Sequence, residues 1–240
     1  MNFDSKLFLE NITLDRDNID NFDIYPFNIK VIKDFDKLEL KSPVTFLVGE
    51  NGVGKSTFIE ALAIACGLNP EGGTQNFMFS TRDTHSNLCD YIKINHFQRK
   101  CYTKFFLRAE SFYNVASEVE KLDIGMYGYG DLHACSHGES FLQLIQNRFT
   151  GNGLYILDEP EAALSPQRQM TLLCLIDQLV KDGAQFIIAT HSPILISYRD
   201  GIILDLDNNF NEIKYKDTDI YKTYKMYLDN PEGMQERLFD

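Results

Sequence analysis

The sequence predicts an α/β domain with a mostly parallel sheet that is flanked by helices, and three observations support this. The final third alternates apolar strands with helices, at 153–157, 166–182, 185–190 and 201–206. An apolar run at 44–48 leads through a glycine-rich turn into a helix at 55–66, which gives a strand–turn–helix unit. A chain of 240 residues that is 44% hydrophobic can fill one large core. We therefore expect a single domain over residues 1–240.

The other segments predict a small antiparallel layer at the N-terminus and a short helical lobe. Strands are expected at 7–14 and 28–32, and a hairpin from the apolar runs 91–97 and 101–107. The lobe, at about 108–150, takes one helix at 111–121 and another from near 136 to about 149. After the last third come a short strand near 212–216 and helices at 218–228 and beyond Pro231.

Composition restricts the compartment and the partners. The net charge of -12 gives no support to nucleic-acid binding, which normally needs a basic face. The five cysteines include no C-x-x-C pair, so neither a disulfide framework nor a thiolate zinc site is indicated. No signal peptide begins the sequence and no apolar run is long enough to span a bilayer. We expect a cytoplasmic protein without a membrane span.

The glycine-rich turn carries the strongest chemical pattern in the chain. It reads G-E-N-G-V-G-K-S over residues 49–56 and fits G-x-x-x-x-G-K-[ST]. Glycines let the backbone N–H groups turn inward around a polyphosphate, Lys55 can reach the terminal phosphates, and the Ser56 hydroxyl can hold Mg²⁺. The turn therefore predicts binding of a nucleoside triphosphate.

Two strand ends carry further candidate residues. The apolar strand at 153–157 ends in Asp158 and Glu159. In a phosphate-loop enzyme the first would hold Mg²⁺ and the second would polarise the attacking water. His191 follows the strand at 185–190, where it could donate a hydrogen bond to the γ-phosphate. A capped helix start, with Ser192 ahead of a proline, is the alternative, and both can hold together.

A second anion site is indicated at residues 136–140, which read S-H-G-E-S at a predicted helix start. Backbone N–H groups and the helix dipole favour phosphate there. Because one phosphate loop already serves the bound nucleotide, this second helix start suggests a site that another copy of the chain completes. The alternative is a metal site of His133, Cys135 and His137, but their spacing suits a tetrahedral centre poorly.

Together these motifs resemble those of the ABC-type ATPases. The order is phosphate loop, S-H-G-E-S, L-D-E-P, A-L-S-P and T-H-S-P, and the likeness covers nearly the whole chain. Within that superfamily the chain resembles the soluble branch near the SMC and RecF proteins, and most closely a family of short bacterial ATPases. The resemblance implies a P-loop fold of ABC type, ATP and Mg²⁺ as ligands, and a head-to-tail homodimer that sandwiches two nucleotides.

The same resemblance implies a role for each matching residue. The phosphate loop would bind phosphates and Mg²⁺ through Gly49, Glu50, Asn51, Gly52, Val53, Gly54, Lys55, Ser56 and Thr57. Asp158 would support the metal, Glu159 would be the catalytic base and His191 the switch histidine. Ser136, Gly138 and Glu139 would form the signature, which contacts ATP bound to the opposite subunit.

Two departures from the family pattern bear on function. Glu110 stands where transporter ATPases carry a glutamine, and it could hold Mg²⁺ through water. Ser165 replaces the aspartate expected after the second motif, which weakens any inference about communication between the two sites. The leading hypothesis is a soluble ATPase whose ATP-driven dimerisation works a partner, in DNA repair or phage defence. The alternatives are the nucleotide-binding subunit of a membrane ABC transporter, and an ATP-state switch with little turnover.

Overall fold

The computed structural model describes residues 7–70, 72–73, 86–97, 99–109 and 137–239. The strands are β1 (Leu9–Leu14), β2 (Lys37–Glu39), β3 (Val44–Val48), β4 (Ile92–His96), β5 (Thr103–Arg108), β6 (Gly153–Asp158), β7 (Gln185–Ala189), β8 (Ile202–Asp205) and β9 (Asn211–Ile213). The α-helices are α1 (Lys30–Lys33), α2 (Lys55–Ala65), α3 (His137–Arg148), α4 (Pro166–Lys181), α5 (Asp219–Asp229) and α6 (Pro231–Phe239). Short 3-10 helices lie at Arg16–Asn18, Asn87–Tyr91, Pro160–Ala163, Leu195–Ser197 and Tyr215–Asp217.

A six-stranded sheet forms the centre of the domain, in the order β5-β6-β7-β3-β8-β9. The first five strands run parallel, and β9 pairs antiparallel with β8 at one edge. Every residue of β3, β6 and β7 is buried, as expected for strands that helices cover on both faces. The predicted α/β class with a mostly parallel sheet is confirmed.

The two faces of this sheet contribute to two separate hydrophobic cores. Leu47, Ile156 and Ile187 point into one core, which also holds the buried face of α2 and residues of the N-terminal sheet. Their chain neighbours Phe46 and Leu157 point into the other core, where α3 and α4 pack. This alternation follows from the two-residue period of a strand. The sheet therefore presents the ends of its central strands between two covering layers.

A smaller antiparallel sheet, in the order β2-β1-β4, forms the N-terminal layer. Gln185 joins it to the central sheet, because its side-chain oxygen accepts hydrogen bonds from the backbone N–H groups of Phe8 (2.8 Å) and Leu9 (2.9 Å). Gln185 is fully buried at the first position of β7. One side chain thus connects two backbones that are distant in sequence. The predicted antiparallel N-terminal layer is confirmed.

Two predictions about individual elements are wrong. The runs 91–97 and 101–107 contain strands but no hairpin, because β4 pairs with β1 and β5 pairs with β6 in the other sheet. The segment 28–32 is not a strand: it leads into α1, where the adjacent residues Val31 and Ile32 are both buried in the same core. Burial of consecutive residues on one side suits a helical turn and overrides their β-propensity.

The other predicted elements agree with the structure to within a few residues wherever the structure describes them, but β2 (Lys37–Glu39) was not predicted. The helix expected at 111–121 lies outside the described residues, so the lobe at 108–150 stays a prediction. Within the described part of the chain, no helix is both long enough and apolar enough to cross a membrane.

Candidate active site

The phosphate loop connects the end of β3 to the start of α2, and its glycines have conformations that other residues rarely adopt. Gly52 has φ 84° and Gly54 has φ 109°. At Gly54 an added Cβ would lie 2.8 Å from Ile29 Cγ2 and 2.9 Å from Val31 Cγ1. A side chain there would therefore meet both strain and collision. The segment 28–32, which was wrongly predicted to be a strand, therefore packs against the phosphate loop.

Lys55 makes hydrogen bonds back to the start of the phosphate loop. It is 5% exposed, and its Nζ donates hydrogen bonds to the carbonyl oxygens of Gly49 and Glu50, each at 2.9 Å. Burial lowers the pKa of Lys55, and the carboxylates of Glu159 and Asp207 oppose that change. The first residue of α2 therefore holds its ammonium group against the first two residues of the loop, where a charge-assisted bond to an anion would be favoured.

Ser56 and Asp158 lie close together although they belong to different elements. The hydroxyl Oγ of Ser56, on α2, lies 3.4 Å from Oδ1 of Asp158, the last residue of β6. Asp158 is 3% exposed. A hydroxyl and a carboxylate are hard oxygen ligands of the kind that Mg²⁺ takes beside substrate phosphates. The structure brings these two predicted metal ligands together.

Arg108 is a site residue that sequence reasoning missed. Its Nε lies 3.3 Å from Asp158 Oδ2, and its Nη1 lies 2.8 Å from Glu60 Oε2 on α2. One guanidinium thus orients the carboxylate of β6 against the helix of the phosphate loop. A signal was available, since Arg108 and Asp158 end two apolar strands and are paired residues of β5 and β6. This pattern predicts a contact between Arg108 and Asp158 only if the pairing of β5 with β6 is already known.

Glu159 and His191 meet directly beyond the strand ends. Glu159 has the left-handed backbone conformation φ 48°, ψ 51°, and its backbone N–H donates to the carbonyl of Ala189 at 2.9 Å. Its Oε1 lies 3.8 Å from His191 Nε2. That nitrogen is buried, and no described residue gives it a hydrogen-bond partner. The two predicted catalytic side chains therefore approach each other without forming a hydrogen bond.

His191 is held in a setting that favours its neutral form. Burial lowers the pKa of the imidazole, the Lys55 ammonium lowers it further, and Glu159 acts in the opposite direction. A neutral imidazole has one N–H donor, which can serve an anion without carrying a charge itself. The predicted hydrogen bond from His191 to a phosphate is compatible with this setting.

Comparison with protein families identifies the chain. A family described as AAA domain matches residues 18–150, which is more than half of the 240 residues. This chain belongs to the AAA-domain family of P-loop ATPases. A second family, described as AAA ATPase domain, matches residues 140–196. The prediction of a P-loop ATPase is confirmed.

Several solved structures resemble the AAA-domain protein at low sequence identity. The SMC head domain from Thermotoga maritima is 15% identical, with 83% of this chain and 94% of that chain covered and a TM-score of 0.47. An ATP-binding cassette of an ABC transporter in its ADP conformation is 15% identical, with 91% and 98% covered and a TM-score of 0.48. Part of the ABC transporter complex cbiONQ from Clostridium perfringens is 17% identical, with 82% and 88% covered and a TM-score of 0.45. None of the curated proteins compared with the chain matches it.

Two predicted site residues lie outside the described residues: Ser136 of the predicted signature, and Glu110, the predicted water-mediated Mg²⁺ ligand. Gly138 is buried at the start of α3, where an added Cβ would lie 2.8 Å from Arg168 Nη1. Arg168 Nη2 also lies 3.1 Å from Glu139 Oε1. The start of the signature helix is therefore packed against α4 of its own chain.

A cavity of about 290 Å³ lies beside the phosphate loop of the AAA-domain protein. Its lining includes Gly49, Glu50, His191, Asp205, Asp207 and Tyr224. Four carboxylates line it, those of Glu50, Asp205, Asp207 and Asp219, and like charges would repel a polyphosphate. We therefore place nucleotide phosphates on the Lys55 side of the loop rather than in this cavity.

Glu161 is the second residue that sequence reasoning missed. Its Oε2 accepts a hydrogen bond from Thr190 Oγ1 at 2.7 Å, and its Oε1 accepts one from the backbone N–H of His191 at 2.5 Å. Burial raises the pKa of Glu161, and the two hydrogen bonds act in the opposite direction. The T-H-S-P motif includes Thr190 and His191, and Glu161 directly follows the L-D-E-P motif, but nothing in the sequence showed that these residues touch.

Proposed function

We propose that this protein binds ATP with Mg²⁺ at residues 49–57 and hydrolyses it to ADP and phosphate. The observation that carries the proposal is the convergence of Ser56, Asp158, Glu159 and His191. Ser56 lies 3.4 Å from Asp158, and Glu159 lies 3.8 Å from His191. Family membership supports nucleotide binding in general. The individual residue roles are our inference from the geometry.

The phosphate loop and Lys55 would bind the phosphates of the nucleotide. The ammonium group now bonds to two loop carbonyls, and phosphate oxygens would replace them with stronger, charge-assisted hydrogen bonds. The N-terminus of α2, an 11-residue helix, adds its dipole at the same point. Lys55 thus neutralises charge that develops on the transferred phosphoryl group.

The residues present fit a magnesium ion that is completed by phosphate oxygens. Ser56 and Asp158 would hold it, and Arg108 would keep the Asp158 carboxylate in place. Among the described residues, no cluster of three or more His, Cys, Asp or Glu could hold a metal ion alone, and a site shared with phosphates needs none. When bound, Mg²⁺ neutralises charge on the phosphate oxygens. Glu110 stays a proposed water-mediated ligand.

Glu159 and His191 would act on the attacking water and the γ-phosphate. The strained backbone at Glu159, worth about 1–3 kcal/mol, turns its side chain out of the sheet, where it is 40% exposed. An ionised carboxylate there can accept a proton from water. His191 would donate a hydrogen bond to the γ-phosphate from its neutral ring.

The signature would complete the site of a second copy. Ser136, Gly138 and Glu139 are proposed to contact ATP held by the opposite subunit of a head-to-tail dimer. The resemblance to ABC-type ATPases supports this arrangement. A partner on which the dimer acts, and roles in DNA repair or phage defence, rest on that resemblance alone. The net charge of -12 continues to disfavour contact with DNA.

The test is phosphate release in the presence of Mg²⁺ and ATP. Glu159→Gln should lower the release rate about 10²- to 10⁴-fold while ATP binding persists, because only the proton acceptor is lost. Lys55→Ala should abolish ATP binding. Glu236→Gln, on the exposed last helix, is the matched control and should match the wild type. Unchanged release by Glu159→Gln, or tight ATP binding by Lys55→Ala, would contradict the proposal.

A further inference from the structure

The loop that carries His191 is fixed by side chains from the segment after β6. We define the switch loop as residues 190–194. Glu161, in the 3-10 helix that follows Glu159, uses both carboxylate oxygens on this loop: one accepts from Thr190 Oγ1 and the other from His191 N. The same short turn therefore carries the proposed catalytic base and the anchor of the switch loop.

A second anchor lies on the other side of His191. Ser192 Oγ donates to Gln169 Oε1 on α4 at 2.5 Å and accepts from Ile194 N at 3.1 Å. Thr190 and Ser192 are both buried, and they are joined by a 3.0 Å hydrogen bond from Ser192 N to Thr190 Oγ1. Only the imidazole between them projects toward Glu159. Glu161 is the side chain that accepts a hydrogen bond from the backbone N–H of His191 itself.

We propose that Glu161 is a positioning residue that sets the distance and direction of His191 relative to Glu159 and the γ-phosphate. This inference rests on the proposed ATP hydrolysis. A displacement of about 1 Å at a reacting group can lower a rate about 10²-fold, so loss of the anchor should affect turnover far more than nucleotide affinity. Phosphate binding depends on the loop and Lys55, which Glu161 does not contact through a hydrogen bond.

A double-mutant cycle on phosphate release tests the positioning role. Glu161→Ala should lower kcat roughly 10- to 100-fold and leave KM for ATP within about threefold of the wild type. His191→Ala should lower kcat at least as much, and the double variant should be no slower than His191→Ala. An equal further loss from Glu161→Ala in the His191→Ala background would contradict the proposal. So would an unchanged kcat in either single variant.

Conservative variants separate positioning from general damage to the fold. Glu161→Gln keeps one acceptor oxygen and should recover at least tenfold in kcat over Glu161→Ala. If Glu161→Ala fails to fold, Thr190→Val removes the hydroxyl donor from the other side at nearly constant volume. Its control, Thr190→Ser, keeps the hydroxyl. We expect a lower kcat for Thr190→Val only, and equal rates for both variants would contradict the proposal.

A measurement without nucleotide distinguishes this inference from the proposed function. A backbone N–H that donates to a carboxylate resonates downfield and exchanges slowly with solvent. In heteronuclear NMR spectra, Glu161→Ala should move the His191 amide upfield and speed its exchange, whereas Glu236→Ala should change neither. An unmoved amide would overturn the positioning role. If the His191 amide moves in Glu161→Ala but the wild-type protein releases no phosphate from ATP, the proposed hydrolysis would be overturned instead.

Discussion

At the scale of single residues, the partly buried Glu161 and the buried Lys55 hold the site together. Burial raises the pKa of the carboxyl group and lowers the pKa of the ammonium group, so in both cases it favours the neutral form. Charged groups kept in such places reduce stability, and proteins retain them where activity needs them. Glu161 is thus a candidate for a trade-off between stability and turnover.

Glu161→Gln should raise the melting temperature at neutral pH. Because the folded-state pKa of Glu161 is raised, its stabilising contribution is complete below the ordinary value of 4.5 and is lost as pH rises through the folded-state pKa. Glutamine resembles the neutral acid and avoids that loss. We expect a rise at pH 7.5, and in a chain of this length each ~1 kcal/mol of added stability corresponds to about 2–4 °C.

Calorimetry over a pH series checks this expectation. The difference between Glu161→Gln and the wild type should shrink as pH falls toward 4.5, while Glu236→Gln should follow the wild type throughout. A variant that is less stable than the wild type at pH 7.5 would show that the two hydrogen bonds outweigh the desolvation of the carboxylate.

At the scale of elements, local patterns predicted the parts of the site that lie on single strands and turns. The apolar run of β6 with its carboxylates, the glycine-rich loop and the helix after it were all evident in the sequence, because each is specified by its own residues. Which strands pair with each other was not evident in the sequence. β4 pairs with β1, about 80 residues earlier, and adjacency along the chain wrongly favoured β5.

The missed site residues have the same explanation. Arg108 and Glu161 act through partners that the sheet order brings close: β6 lies next to β5 on one side and β7 on the other. Arg108 therefore reaches Asp158, and Glu161 reaches Thr190, only after the sheet has assembled. Residue type alone did not distinguish them from ordinary surface charges.

Gln185 joins the two sheets, and its replacement should be costly. Gln185→Leu would leave the N–H groups of Phe8 and Leu9 buried without their acceptor, at ~1–3 kcal/mol each. We expect the free energy of unfolding in urea to fall by about 2–4 kcal/mol. Gln178→Leu, on the exposed face of α4, is the control and should change it by less than ~0.5 kcal/mol. A small effect of Gln185→Leu would mean that the N-terminal sheet is held by its apolar contacts alone.

At the scale of the whole molecule, the question is whether one chain contains a complete site. Lys55, Ser56, Asp158, Glu159 and His191 converge at the ends of β3, β6 and β7. The start of α3, by contrast, packs against Arg168 of α4. We propose that the signature contacts the nucleotide of a second copy, so that each dimer would have two shared pockets.

The most direct test of the shared pocket mixes two inactive variants and measures phosphate release. Lys55→Ala damages the phosphate loop, and Ser136→Arg places a bulky charge in the signature. In a head-to-tail dimer of one copy of each, one pocket receives both defects and the other receives neither.

With a shared pocket, each variant alone should be inactive and an equal mixture should regain roughly a quarter of the wild-type rate, since half of the dimers are mixed and each has one intact pocket. A mixture as inactive as its components, beside an active wild type, would contradict the shared pocket.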